Sequence, residues 1–210
     1  MLGRRSVKIR PLPSGFVDWQ VALRLHTMRE RNGAPHVGVA PVLNVFAPGV
    51  GHGVSSHSII CGLLPAPEVL ERKTAEFRAL YERHLPDGAK AIYDAGLHYL
   101  EDYYTEPGAF DPTTITTLMP EDGHVVRALR LRPECSLLFY VFDLHDKSEI
   151  GRLRCTQLHC HAEIHADGPV YENVWWHNAL FHGAVDGHVV LGFRHVGSHE
   201  TGFGRLETTD

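Results

Sequence analysis

Cysteine is scarce in this chain and its spacing carries no metal or redox motif. The thiols of Cys61, Cys135, Cys155 and Cys160 form no CxxC pair, which excludes a zinc ribbon and a thioredoxin-like centre. Four cysteines in 210 residues make no disulfide framework. Reduced thiols in a cytoplasmic protein are therefore expected. The N-terminal MLGRRSVKIRPLPSG has basic residues with no apolar stretch after them, so a signal peptide is not expected. No apolar run is long enough to span a bilayer. An excess of basic charge is missing too. Lys plus Arg number 20 against 25 for Asp plus Glu, a net charge of −5, which argues against nucleic acid or an anionic membrane as partner. There is no GxSxG or HExxH. His161-Ala162-Glu163 is followed by no PCxxC, so the zinc-deaminase signature fails. Gly51-His52-Gly53 is too short for a phosphate loop. No internal repeat or low-complexity tract occurs.

What is present is an ordinary globular composition, 43% hydrophobic and 21% charged, with 16 histidines as the outlier. Length favours a single domain over 1–210. The period of the apolar pattern changes along the chain. Residues 36–47 and 58–64 read as strands, and 49–57 as a loop of Gly, Ser and His. Pro67 to His84 and Ala89 to Tyr104 read as two amphipathic helices, a helical hairpin inserted at 67–104. Strands return at 113–119, 135–144, 150–166 and 188–196, with a turn at Asp167-Gly168-Pro169. Segments 16–27 and 123–131 fit helix or strand, 171–182 reads as helical, and the tail from Gly197 reads as frayed. The expected fold is mainly β (α+β), a split β-barrel-like core carrying the helical insertion.

The richest stretch is Gln157 to His165. On a strand, His159, His161, Glu163 and His165 share one face, and Leu158, Cys160, Ala162 and Ile164 the other. The first face bears groups that bind divalent metals or exchange protons near neutral pH. Residues two apart lie roughly 6–7 Å apart, so His159, His161 and His165 are candidate ligands for Zn or Fe. A further ligand would come from His57, His124, His177, His182, His195 or His199. Glu163 or His165 is then the candidate catalytic base. A solvated strand face in a histidine-rich, non-catalytic binding domain is the plain alternative. Cys135 and Cys160 lie in apolar patterns and read as buried, inert thiols. Trp175-Trp176 suits stacking on a planar ligand or packing in a core.

Three segments also carry a family resemblance. Asn32-Gly33-Ala34-Pro35-His36-Val37-Gly38-Val39-Ala40-Pro41-Val42, then Arg132-Pro133-Glu134-Cys135-Ser136-Leu137-Leu138-Phe139, then Arg152-Leu153-Arg154 through Ala162-Glu163-Ile164 stand in one order. They resemble corresponding segments of the pyridoxamine-phosphate-oxidase-like flavin split barrels and cover about a third of the chain. The resemblance implies a homodimeric oxidoreductase acting on a small-molecule substrate, with FMN or a related planar cofactor, deazaflavin or haem among them, at the dimer interface. Where the family usually has a Ser and a cation ahead of this proline, the chain has Gly123, His124 and Val125. The resemblance therefore implies His124 and Arg127 as phosphate or carboxylate contacts, with Trp175 and Trp176 flanking the ring.

Overall fold

A computed structural model describes residues 7–31, 40–47, 53–141, 154–202 and 205–209. In chain order they form α1 (Phe16–Arg31), β1 (Val42–Phe46), β2 (Val54–Ser58), β3 (Gly62–Pro65), α2 (Leu70–His84), α3 (Ala89–Thr105), β4 (Phe110–Pro120), α4 (His124–Leu131), β5 (Glu134–Val141), β6 (Arg154–His165), α5 (Gly168–His182), β7 (His188–Gly202) and β8 (Arg205–Thr209). Among the described residues helices and strands both contribute heavily, as the expected α+β class requires.

The strands build one antiparallel sheet in the order β2-β1-β5-β6-β7-β4-β3, with β8 also paired to β7. The two ends of that order, β2 and β3, are joined by only Ile59, Ile60 and Cys61. Four residue steps reach about 14 Å at most. The sheet must therefore curl until its end strands approach, which gives an open, split-barrel-like form.

The crossing is pinned from inside. Arg24, on α1 and 1% exposed, donates from Nη2 to the Cys61 carbonyl at 2.9 Å. Its Nη1 donates to the carbonyl and Oε1 of Gln20 at 3.0 and 2.8 Å. Buried positions on α1 are Phe16, Trp19, Gln20, Leu23, Arg24, Thr27 and Met28. Their spacing is helical, but three of them are polar, which blurs the apolar period that separates helix from strand in the sequence. The core face of the sheet carries Leu43, Val45, Leu137, Phe139, Leu158, Cys160, Leu191 and Phe193. Phe16 of α1 meets Phe139 edge-on at 5.1 Å.

The two helices expected at 67–104 are present, with Pro67 to Val69 in a turn ahead of α2 and a 3-10 turn at Leu85–Asp87 between them. They pack with α5, which lies between α2 and β3, β4 and β7. Lys73 on α2, 4% exposed, reaches Glu106 after α3 at 2.5 Å and Glu76 at 3.2 Å.

Several sequence expectations are corrected. Residues 54–57 are strand rather than loop, an edge strand held by its ladder to β1 despite Ser55 and Ser56. Residues 58–64 are not one strand: the chain breaks at 59–61 to cross between sheet ends. Helix α5 begins at Gly168, with Pro169 in its first turn, where a turn was expected. The tail is not frayed over 197–202 and 205–209. It extends β7 and forms β8, because backbone pairing suffices for strands whose sequence is polar. The expected strand at 36–47 is seen as Val42–Phe46. Residues 32–39 and the expected turn at 145–148 lie outside the described residues. Segment 124–131 is a helix, α4, burying Val125, Val126, Ala128 and Leu129.

Replacing Arg24 with Met removes the side-chain donors to the Cys61 carbonyl and to Gln20 Oε1. A buried acceptor left without its partner costs about 1–3 kcal/mol. Urea unfolding of Arg24→Met should show a stability loss of that size with an unchanged m-value. A midpoint equal to wild type would show that the crossing does not depend on this contact.

Candidate functional site

Alternation along β6 sorts its side chains as the sequence predicts. Leu158, Cys160 and Ala162 are buried, whereas His159, His161 and His165 are half-buried and Glu163 is exposed. The register extends the histidine face across the sheet. Ser56 of β2 pairs with Asn44 of β1, Asn44 with Ser136 of β5, and Ser136 with His159 of β6. Direct cross-strand partners share a face, so these residues form one polar row running across four strands.

The row is wired by side-chain hydrogen bonds. Ser56 Oγ donates to Asn44 Oδ1 at 2.6 Å. Asn44 Nδ2 and Gln157 Nε2 both donate to Ser136 Oγ, at 3.4 and 3.2 Å. Ser136 thus accepts twice and keeps its own O–H to donate. His159 and His199 meet edge-on with ring centroids 4.9 Å apart. Burial, with His199 and then His195 nearby, holds the His159 imidazole below its ordinary pKa. Apolar surface borders the row: Phe46, Val54 and Tyr140 are exposed, and Val42 and Leu138 half-buried. Arg132 lies over the Phe46 ring at 4.9 Å.

Next to His159, a bulge shifts the β6–β7 register, so that His159 faces Gly197 and Cys160 faces His195. Such bulges re-aim side chains. Beyond it, His161 pairs directly with Arg194, and Glu163 with Gly192. Gly192 lets His165 approach closely: a Cβ there would stand 3.1 Å from His165 Nε2. His165 in turn stands 3.8 Å from Glu163 Oε2.

The other sequence candidates go elsewhere. His124 and Arg127 begin α4. His124 meets His57 at 5.8 Å, and Arg127 donates to the Asp122 carbonyl at 2.5 Å. His57 pairs with the buried Leu43, so it sits on the opposite side of the sheet from the row. Trp175 and Trp176 pack edge-on at 4.7 Å within the helical layer. Trp175 donates to the Val185 carbonyl at 2.8 Å, and Trp176 lies against Tyr81 and Arg78. Within one chain no contact among the described residues joins them to His124 and Arg127. Of the six further ligand candidates, His199 is in ring contact with the histidine row. His177 stacks on Phe77, and His195 Nδ1 donates to the Pro11 carbonyl at 2.7 Å. Among the described residues no three His, Cys, Asp or Glu side chains gather closely enough to hold one metal ion. All four cysteines are free thiols. Burial pushes the Cys135 thiol up to about 12 and raises Cys61 and Cys160 as well.

Sequence reasoning missed Asn44, Ser136, Gln157 and Arg194 as one surface, and named His199 only among six possible further ligands. Only strand register brings them together, and no local motif marks it.

No protein-family description and no curated protein matches this chain. Solved structures do, loosely. One is a protein related to general stress protein 26, of the pyridoxinephosphate oxidase family, from Clostridium acetobutylicum: 10% identity, 89% of this chain and 95% of that one, TM-score 0.47. Another is described as a putative pyridoxamine 5'-phosphate oxidase from Listeria innocua: 11% identity, 92% and 98%, TM-score 0.45. A third is a haem-binding protein from Mycobacterium smegmatis: 12% identity, 90% and 57%, TM-score 0.44. The chain thus spans a little over half of that protein. No helix among the described residues is long and apolar enough to cross a membrane.

The depressed His159 makes a pH prediction. A histidine whose folded pKa lies below its unfolded value of about 6.5 contributes stability that is lost as pH falls through that window. The His159 ring signals in NMR should titrate with a midpoint below the ordinary value, and His199→Gln should raise it. A midpoint at or above 6.5 in wild type would contradict the arrangement.

Proposed function

We propose that the chain binds a flat redox cofactor of the flavin or deazaflavin class on the sheet face described above, and acts as an oxidoreductase on a small molecule. The observation that carries this reading is the Ser56–Asn44–Ser136–His159 row, flanked by Gln157 and His199, with apolar side chains on either side. A fused ring system needs just that pairing: apolar surface for its faces and donors and acceptors in a line for its polar edge. Ser136 fits as donor, Gln157 and Asn44 orient it, and His159, held below its ordinary pKa by burial, offers a neutral imidazole that donates or accepts a hydrogen bond at a ring nitrogen.

A bound flavin or deazaflavin supplies hydride or electron transfer. The chain's own part is to bind, orient and shield. Phe46, Val54 and Tyr140 on the same face suit coverage by a second copy of the chain, so we read the working form as a homodimer. The free thiols suit a reducing, cytoplasmic setting.

Titration with FMN, a deazaflavin and haem, followed by absorbance and fluorescence, tests this. Saturable binding of one flavin-type ligand is expected. Loss of one neutral hydrogen bond is worth about 0.5–1.5 kcal/mol, so Ser136→Ala should weaken binding roughly two- to tenfold. Light scattering on the loaded protein should give twice the chain mass. Haem alone binding, or no ligand saturating, would overturn the reading.

A further inference from the structure

We propose that the cleft between α5 and the β3-β4 end of the sheet binds a short organic acid, with its carboxylate on Arg24 and its alkyl end on apolar side chains. The site lies away from the cofactor face, and it does not rest on the reading above.

The observation behind it is a buried cation with no counter-charge. Arg24 is 1% exposed. Its guanidinium bonds the Gln20 and Cys61 carbonyls, Gln20 Oε1 and the Tyr104 hydroxyl, all neutral groups. The carboxylates paired among the described residues go to other bases. The ionisable groups beside Arg24 do not supply the missing charge. Burial raises the Cys61 thiol and the Tyr103 and Tyr104 phenols above their ordinary values, so all three stay neutral near pH 7. A charge taken out of water is costly until it meets one of opposite sign.

The protein keeps room for such a partner. Arg24, Cys61 and Tyr104 line a cleft of about 50 Å³ between α5 and strands β3 and β4. One ordered water needs about 10–15 Å³ on the same measure, so a group of a few heavy atoms fits. No Asp or Glu lines the cleft. Gln20 and Cys61 take three of the five guanidinium N–H groups and Tyr104 another, which leaves one. Tyr104, as the acceptor from Arg24, keeps its own O–H to donate. Two donors on neighbouring groups match the two oxygens of one carboxylate. Ile60, Leu118 and Val174 also line the cleft, which favours a short alkyl chain over a second charge or a bare halide.

Propionate and propionamide test this, because they share a shape and differ in charge. Calorimetry at fixed ionic strength should show saturable propionate binding, roughly tenfold or more tighter than the amide, with chloride weaker than propionate. A hydrogen bond to a charged group is worth about tenfold or more, so Tyr104→Phe should weaken propionate by that factor. Gly62→Ala is the milder variant. Its Cβ would stand 3.5 Å from Thr116 Oγ1 and 3.9 Å from His177 Nδ1, ordinary contacts with two residues that line the cleft. It should fold and melt like wild type, yet lose propionate affinity, and it decides the matter if Tyr104→Phe does not fold. In NMR, propionate should shift the Arg24 Nε–H and the Cys61 and Gly62 amides. Equal affinity for propionate and propionamide, chloride binding as tightly as propionate, no saturation, or a silent Gly62→Ala would each overturn the proposal. Shifts centred on Asn44 and Ser136 would overturn it too, by placing the acid on the cofactor face.

Discussion

The short crossing at Ile59–Cys61 governs the rest of this structure. It joins the two ends of the sheet order, so the strands between them have no choice but to curl into a split barrel. A charged side chain secures that crossing: Arg24 is 1% exposed, and the Cys61 carbonyl is one of its anchors. A buried guanidinium costs desolvation unless its donors are matched, so α1 is fixed to the crossing as firmly as the crossing is fixed to α1.

Curling separates the sheet into an inside and an outside with different chemistry. The inside takes Leu43, Leu137, Leu158 and Phe193, all fully buried. The outside divides again. Helices α2 and α5 pack on the β3-β4-β7 end, whereas the β2-β1-β5-β6 end keeps Ser56, Asn44, Ser136 and His159 half-buried or exposed. Polar atoms bonded sideways to one another hold their geometry without a cover, which is what a preorganised binding surface requires. The bulge at His195–Gly197 then turns β7 so that His199 meets His159 while Arg194 meets His161.

The histidine face of β6 was legible in the sequence because a strand's period of two is written directly in its residues. The helices at 70–84 and 89–105 were legible for the same reason, in the period of 3.6. What surrounds the histidines was not. Ser136 lies 23 positions before His159 and Arg194 lies 33 after His161, and only register, with a bulge in it, sets those pairs. Trp175 and Trp176 looked like a stacking pair, but adjacent helical residues point about 100° apart, and each found its partners in the helical layer. His124 and Arg127 were singled out by position in a resemblance; the start of α4 holds them away from the row. Polar strands such as 197–202 and 205–209 gave no apolar signal at all, since their pairing is made by the backbone.

The claim most exposed to test is that the uncovered sheet face is the binding surface. Backbone amide shifts, or hydrogen exchange, should be recorded on the protein with and without FMN. The account predicts changes concentrated at Asn44, Ser136, Gln157, His159 and Arg194, with Trp175 and Trp176 unaffected. Changes centred on the tryptophan pair, or on His124 and Arg127, would contradict it.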